Sequence, residues 1–222
     1  MSATRRPSSR GKAAPVRERR RDRDRTQAEI LEVATAEFAE HGFSGARVDE
    51  IAERTRTTKR MIYYYYGSKE QLFVAVLERA YAEIRAAEQT IDVDHLEPVD
   101  AIRRLAELTF DHQESHPDFS RLVAIENIHR AEHIAGRKDF AGQNSPAIEL
   151  IERILERGYA DGTFTREIDA VDLHMMISAF CVFRMANRHT FGAIFDRDPA
   201  DPALRDRYRQ MLGDMVVDYL RG

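Results

Sequence analysis

The sequence has few of the features on which several classes of protein depend. Its one cysteine, Cys181, cannot form an internal disulfide or a zinc cluster, and because it lies in an apolar run we expect it to be a small core residue. No run of ~18 apolar residues is present, which argues against a membrane span. The N-terminus is rich in arginine and lacks the apolar stretch of a secretory signal, so we expect a cytoplasmic protein.

Motifs of the common enzyme chemistries are scarce as well. There is no Gly-rich phosphate loop, nucleophile elbow or cysteine pair, so we expect neither an enzyme nor a bound cofactor. One pattern opposes this: "HRAEH", residues 129–133, places two imidazoles one helical turn apart, as in inverted zinc peptidases. It needs a third ligand, and no supporting motif accompanies the candidates His112, His116, His174 and His189. A polar helix face or the edge of a ligand pocket is the favoured interpretation, and a zinc hydrolase is the alternative.

The apolar residues repeat with the period of a helix. No segment alternates polar and apolar residues for long, so the sequence predicts an all-α fold. With 222 residues and 43% hydrophobic content, the chain can form one large domain or two smaller ones. The helices are expected at about 27–41, 47–54, 58–67, from 68 onward, and at about 98–115, 118–135, 146–158, 169–190 and 203–220.

Charge is distributed unevenly along the chain. Residues 1–25 carry ten Arg or Lys and three acids, whereas residues 71–222 carry 18 basic and 27 acidic side chains. A basic arm on an acidic body indicates that one end of the molecule meets a polyanion while the body avoids it. We expect residues 1–25 to be disordered, and the alternative is that this arm does no more than keep the protein soluble.

Capping and turn residues delimit four helices near the N-terminus. Thr26 and Glu29 form a capping box for the first helix, Gly42 predicts its left-handed stop, and Ser68 with Gln71 caps the fourth. Between them lie two short helices joined by a tight turn. This is the helix-turn-helix arrangement, whose second helix enters the major groove of DNA.

The stretch "KRMIYYYYGSKE", residues 59–70, sets four tyrosines between basic neighbours. As a strand it would send alternate side chains to opposite faces and leave the basic neighbours unexplained. As a helix it stacks Ile62 and Tyr66 on one side and projects two cation-and-aromatic rows from another, Lys59/Tyr63 and Arg60/Tyr64. We therefore predict that Tyr66 packs in the core and that the other side meets nucleic acid.

The stretch "GARVDEIAERTRTTKRMIYYYYGSKEQLF", residues 45–73, resembles the DNA-binding region of TetR-type bacterial repressors in its spacing, apolar positions and Ser-Lys-Glu entry to the fourth helix. The resemblance implies a DNA-binding domain over residues 26–72 and a helical domain over 73–222 that senses a ligand and dimerises. It also implies a homodimer whose last two helices form a four-helix bundle. A palindromic operator and a small-molecule inducer, which releases the repressor by moving the fourth helix, are its further implications.

Carried over to this sequence, the resemblance assigns individual residues to DNA. The positions that face bases and nearby phosphates are Lys59, Arg60, Tyr63 and Tyr64, and Met61 faces a thymine methyl. The positions that contact phosphates are Arg47, Thr58, Tyr65 and Lys69.

The turn between the two short helices departs from the family pattern. Such proteins have a small residue and a glycine there, followed by an apolar residue, whereas this chain has Thr55, Arg56 and Thr57. We expect Arg56 to adopt a positive φ at a cost of about 1 kcal/mol. A slightly remodelled turn, with a changed DNA affinity, is the expected consequence.

The stretch "SRLVAIENIHRAEH", residues 120–133, sets polar groups into an apolar helix. Polar groups inside a bundle either pair with one another or bind a ligand. We place a sensor pocket for a small polar or aromatic metabolite between the predicted fifth to eighth helices, and the candidate residues are Glu126, Asn127, Arg130, Phe180 and Arg184. A helical adaptor whose basic arm binds any polyanion is the alternative to a regulator.

Overall fold

Helices account for every regular element of the described structure. The computed structural model describes residues 16–92 and 95–222, and none of these residues lies in a β-strand, which confirms the predicted all-α class. None of the described helices is long and apolar enough to cross a membrane. The elements are α1 (Val16–Gly45), α2 (Val48–Arg54), α3 (Lys59–Tyr66), α4 (Lys69–Glu88), α5 (Pro98–Ser115), α6 (Pro117–Ile128), α7 (Lys138–Ala160), α8 (Ala170–Ala186), α9 (Arg188–Phe195), the 3-10 turn η1 (Pro202–Leu204) and α10 (Arg205–Arg221).

α1 starts much earlier than its sequence pattern predicts. It begins at Val16 rather than near residue 27, and Thr26, expected to cap it, donates its hydroxyl to the carbonyl oxygen of Asp22 at 2.9 Å. A hydroxyl bound to the preceding turn belongs to the interior of a helix and not to its cap. In the described structure residues 16–25 belong to α1, and residues 1–15 of the predicted arm lie outside the described residues.

The turn between α2 and α3 follows the sequence prediction. Both helices start and end within one residue of the expected positions, and Arg56 has the expected positive φ, 51°. The backbone N–H of Thr57 donates to the carbonyl oxygen of Ala52 at 3.0 Å, and the hydroxyl of Thr55 donates to that of Ile51 at 2.7 Å. The turn therefore closes onto the last turn of α2, in spite of the strain at Arg56.

Caps and glycines set the directions of the first four helices. Thr58 and Ser68 each accept a hydrogen bond from the backbone N–H three residues later, at 3.3 and 3.1 Å, and so fix the starts of α3 and α4. Gly42 and Gly67 have φ values of 69° and 79°, which glycine adopts without steric cost. The predicted cap at Ser68 and the predicted end of α3 at Gly67 are confirmed, whereas Gly42 kinks α1 three residues before the helix ends at Gly45.

α6 ends at Ile128 and not near residue 135 as its pattern predicts. The carboxylate of Glu126 accepts hydrogen bonds from the backbone N–H groups of His133 and of the next residue, at 2.9 and 3.2 Å, so the chain folds back over the end of the helix. Two successive residues of this turn, Arg130 and Ala131, have positive φ values of 57° and 59°. The helix thus ends because Glu126, in its last turn, binds backbone N–H groups seven and eight residues later.

Three other boundaries also differ from the prediction. α7 begins at Lys138 rather than at 146 and includes Pro146. The expected single helix over 169–190 is divided at Asn187 into α8 and α9. α10 begins at Arg205 because η1 precedes it, and η1 is capped by the carboxylate of Asp201.

Two hydrophobic clusters organise these helices. The first joins α1 to α4 and has Ile30, Phe38, Ile51, Ile62 and Phe73 fully buried, with Leu122 of α6 and Phe140 of α7 packed into it. The second joins α5, α7, α8 and α10. α4 contributes its N-terminal half to the first cluster and packs its other half against α5 and α7, so it links the two parts of the molecule.

Cys181 lies in the second cluster, as the sequence predicts. It is 1% exposed, and burial raises the pKa of its thiol to about 12. The thiol therefore stays protonated near neutral pH and behaves as a small apolar group.

Candidate functional site

One side of α3 carries the residues assigned to the bases. Ile62 is completely buried on the first cluster, and the side opposite to it exposes Lys59, Arg60, Met61, Tyr63 and Tyr64. Tyr64 is 68% exposed, which no core aromatic would be. The helix thus exposes cations, phenols and a thioether to solvent while Ile62 anchors it to the first hydrophobic cluster.

Lys59 is held by α2. Its ammonium donates to the carboxylate of Asp49 at 3.0 Å, and about half of each side chain is exposed. The hydrogen bond to Asp49, together with the charge of that carboxylate, raises the pKa of Lys59. An acceptor on DNA would have to compete with Asp49 for the ammonium of Lys59. The ion pair therefore orients Lys59 and at the same time lowers its affinity for DNA.

The residues assigned to phosphates flank α3. Lys69, at the start of α4, donates to the carbonyl oxygen of Ser44 at 3.3 Å, and its ammonium lies 5.2 Å from the ring centre of Phe43. Partial burial lowers the pKa of Lys69. Arg47 precedes α2 and is exposed, and Thr58 caps α3. Two cations thus lie on the helices on either side of the face of α3.

Arg23 joins this surface from α1, although no sequence pattern singles it out. Its guanidinium carbon lies 6.0 Å from the ring centre of Tyr64 and 5.7 Å from that of Tyr65, and the two rings pack edge to face at 5.4 Å. These are cation–π distances. The only signal in the sequence is the basic character of residues 1–25, which cannot place one arginine until the helix is known to extend that far.

Tyr66 points away from the exposed face, as predicted. It is partly buried against the first cluster, and its hydroxyl donates to the carbonyl oxygen of Gln27 at 2.9 Å. Burial raises its pKa to about 12. Tyr66 therefore fastens α3 to α1, which a phenylalanine at this position could do only by packing.

Glu126, a candidate ligand residue, is occupied inside the protein. It is 3% exposed, and besides its backbone bonds it accepts from Nδ1 of His133 at 2.7 Å. The ring of His133 packs on Phe43 and Phe73 of the first cluster, with centre distances of 4.4 and 5.0 Å. Glu126 thus ties the α6–α7 turn to the helices near α3.

The other candidate ligand residues do not form one pocket. Asn127 and Arg130 are exposed, and Arg184 is buried with its guanidinium already hydrogen-bonded. Phe180 and Arg184 border a cleft of about 500 Å³ between α8 and α10. A sensor pocket built from the five predicted residues is therefore not assembled in this structure.

The "HRAEH" segment lies in the α6–α7 turn and not on a helix face. Nδ1 of His133 is bound to Glu126, and Nδ1 of His129 lies 3.2 Å from the carboxylate of Glu132. Among the described residues there is no group of three side chains that could hold a metal ion. The zinc-hydrolase alternative gains no support from this arrangement.

A second exposed surface is apolar. Large apolar side chains that remain in solvent on α8, α9 and α10 are Val171, Met175, Phe183, Ile194, Phe195 and Met215. The 500 Å³ cleft opens on this surface, with Met176 and Tyr208 in its wall. Phe183 and Met215 border this cleft, and exposed apolar side chains grouped around a cleft are typical of a protein–protein interface.

Two family models match the chain. Residues 30–76 match the model described as bacterial regulatory proteins, tetR family, and residues 98–216 match the one described as tetracyclin repressor-like, C-terminal domain. The first match contains all of α2 and α3, and the second contains α5 to α9.

Named relatives are similar over most of their length. The chain is 34% identical over 198 residues to the HTH-type transcriptional repressor NicS of Pseudomonas putida, covering 89% of this chain and 93% of NicS. It is 35% identical over 163 residues to the HTH-type transcriptional repressor SCO4008 of Streptomyces coelicolor, covering 72% of this chain and 78% of the relative. The crystal structure of SCO4942 from Streptomyces coelicolor superposes with a TM-score of 0.64 and 26% identity, covering 86% of this chain and 97% of that one.

Proposed function

Starting from the fact that the chain belongs to the tetR family of bacterial regulatory proteins and is a ligand-responsive DNA-binding repressor, we propose that it binds a palindromic operator as a homodimer. One α3 enters the major groove of each half-site, and a small-molecule inducer in the C-terminal helices releases the protein.

The exposed side of α3 carries this proposal. A major groove accepts one helix, and lysine or arginine side chains donate to the O6 and N7 acceptors of guanine. Lys59 and Arg60 are the cations on that side, with Tyr63 and Tyr64 beside them. We assign these four and Met61 to the bases, and Arg47, Thr58, Tyr65 and Lys69 to the backbone.

The homodimer is supported by the apolar surface of α8 to α10. One helix-turn-helix reads only about half of an operator, and a two-fold pair doubles its contacts. A second copy that covers Met175, Phe183 and Met215 would pack α8 and α10 of both chains into a four-helix bundle. The same two-fold axis requires a palindromic operator.

Release by the inducer is supported by the position of α4. We assign residues 26–72 to the DNA-binding domain and residues 73–222 to the sensor and dimerisation domain, a boundary that falls within α4 (Lys69–Glu88). A ligand that shifts α4 changes the separation of the two α3 helices, which must be about 34 Å to fit successive half-sites. The liganded form then no longer fits the operator.

The remaining parts of the proposal follow from DNA as the target. We place the protein in the cytoplasm because bacterial operators are there, and we assign it no catalytic activity. The basic segment before Thr26 adds affinity that is independent of sequence and depends on salt, because it displaces counterions from the phosphates. Arg23 of this segment lies against Tyr64 and Tyr65 of α3.

Selection and sequencing of genomic fragments bound by the purified protein tests the proposal. We expect a palindromic motif and, in sedimentation, a species of twice the 25.6 kDa chain mass. A parallel selection with Lys59→Ala is expected to relax one or two base positions, whereas the control Arg121→Ala, an exposed arginine of α6, keeps the motif. Recovery of no motif, or a chain that stays monomeric at micromolar concentration, would contradict the proposal.

A further inference from the structure

Arg85, on the C-terminal half of α4, is buried but does not use all its hydrogen-bond donors. It is 8% exposed, and its Nη1 donates to Oε2 of Glu88 at 2.5 Å. Its Nε is buried without a hydrogen-bond partner, and the hydrogen bond from Nη1 is the one that the described residues give to this guanidinium. Buried polar groups are nearly always paired, so the unpaired Nε–H requires an explanation.

Arg184 shows how this fold treats an arginine that has only a structural role. It is 5% exposed, its Nε donates to the carbonyl oxygen of Pro199 at 2.8 Å, and its Nη2 donates to Glu114 at 2.9 Å. Its guanidinium carbon also lies 4.1 Å from the ring centre of Phe110. The Nε–Nη2 edge and one face of Arg184 are therefore used by the protein itself, which is not true of Arg85.

A cavity lies beside Arg85. Arg85 and Glu88 border a space of about 210 Å³ between the end of α4 and the middle of α7, where Ile91, Pro146 and Leu150 supply apolar wall. The rest of its lining includes the polar and charged side chains of Gln89, Glu149 and Arg153. Pockets for drug-sized ligands measure roughly 300–1,000 Å³. The cavity next to Arg85 is thus of a size for a small metabolite.

The geometry of the guanidinium selects the chemical class of that metabolite. Nε–H and the neighbouring Nη–H form a planar fork that matches the two oxygens of a carboxylate. Because Glu88 occupies Nη1, this fork stays available on Arg85. Resting on the proposed function, we propose that the inducer is a small organic acid whose carboxylate binds the Nε–Nη2 edge of Arg85.

Glu88 sets how the charge of a ligand affects binding at this site. Its carboxylate balances Arg85 in the free protein, and a bound acid brings a second negative charge next to it. Arg85 therefore attracts the ligand and Glu88 opposes it. Since both are on α4, whose N-terminal half carries Leu72 and Phe73 of the DNA-binding core, a ligand here acts on the helix that connects the two domains.

Titration of the full-length protein with matched probes tests the proposal. The probes are straight-chain and aromatic monocarboxylates from acetate to phenylpropionate, each with its primary amide. Thermal melts report binding, and fluorescence anisotropy reports release of the operator found by the genomic selection. We expect at least one acid to bind and release the operator at roughly millimolar concentration or below, and its amide to be about tenfold weaker because it has one acceptor oxygen instead of two.

Substitutions at the buried pair are expected to act in opposite directions. Arg85→Gln weakens the active acid about 10- to 100-fold, whereas Glu88→Gln strengthens it. The control is Arg103→Gln, which removes an arginine that pairs with Asp214 of α10 at 2.7 Å and does not line the cavity, and which should leave binding unchanged. If Arg85→Gln does not fold, the double variant Arg85→Gln/Glu88→Gln, which removes both buried charges, replaces it.

The outcomes separate this proposal from the one on which it rests. A protein that selects an operator but binds no acid of the panel refutes the acid site alone. The same conclusion follows if amides bind as tightly as acids, or if the acid keeps its wild-type affinity for the variant without Arg85. A protein that selects no operator refutes both proposals.

Discussion

Replacement of Glu126 by alanine is expected to destabilise the protein by about 2–4 kcal/mol. The change removes the acceptor from two backbone N–H groups and from Nδ1 of His133, and an unpaired buried donor costs about 1–3 kcal/mol. The turn then loosens, and Arg130 and Ala131 return from positive φ, which gives back about 1–2 kcal/mol each. Glu126→Gln keeps one acceptor oxygen and is expected to lose about 1–2 kcal/mol.

Denaturant unfolding at a fixed protein concentration measures this loss, because a dimer's stability depends on concentration. The matched control is Glu132→Ala in the same segment, whose side chain is 62% exposed and pairs only with histidines. Its free energy of unfolding should change by no more than about 0.5 kcal/mol. The same variants are then tested for operator binding and for its reversal by ligand.

Equal unfolding free energies for Glu126→Ala and Glu132→Ala would refute the reasoning, because the buried hydrogen bonds would then contribute nothing. We also expect Glu126→Ala to weaken the packing of His133 on Phe43 and Phe73, and therefore to bind the operator less tightly at temperatures where the wild type is fully folded.

Four other predictions address separate residues. Arg56→Gly should raise the free energy of unfolding by about 0.5–1 kcal/mol, since relief of the positive φ exceeds the entropy of a glycine in the unfolded chain; an unchanged denaturation midpoint would contradict this. Tyr66→Phe should cost about 1 kcal/mol and leave operator selectivity intact, which melts and an operator panel can check. Lys59→Ala should cost about 1–3 kcal/mol at the cognate operator and relax its selectivity, while Lys69→Ala should weaken all sequences alike in the same panel. Burial lowers the pKa of His112 from 6.5 to about 4. The stability that the neutral ring gives is therefore fully present above pH 6.5, and up to about 3 kcal/mol of the free energy of unfolding is lost as the pH falls towards 4. His112→Gln should flatten that part of the curve of stability against pH.

Local patterns predicted the DNA-binding helices well, because the residues that define them are neighbours in sequence. Ser68 caps the helix that it precedes, Gly67 ends α3, Gly42 kinks α1, and Arg56 adopts the positive φ expected of its position in the turn. Each of these depends on contacts over three or four residues, which periodicity and capping rules describe.

The failures all involve contacts that a local pattern does not contain. Residues 129–135 are compatible with a helix, but Glu126 draws the chain back onto the end of α6. Thr26 has the composition of a cap, yet α1 continues through it to Val16. Glu126 and Arg184 were candidates for a ligand because polar groups in an apolar helix need partners, and only the fold shows that the partners are in the protein.

Arg85 illustrates the opposite error. It lies in a helix rich in charged residues and looks like any solvated arginine in the sequence, with Glu88 at the spacing of a surface ion pair. Arg85 is buried because α4 packs against α5 and α7. That its Nε–H has no acceptor can be recognised only when the positions of all surrounding acceptors are known.

The buried thiol of Cys181 makes the protein suited to site-directed labelling. Since the native cysteine is inaccessible and protonated, a maleimide or nitroxide reagent will react with a cysteine introduced on the surface and leave the wild-type core intact. In the proposed homodimer, one such label at the exposed position of Glu53 on α2, outside the residues assigned to DNA, would appear once in each subunit. Electron–electron distance measurements between the two labels would then follow the separation of the two helix-turn-helix motifs, with and without operator or inducer, in solution.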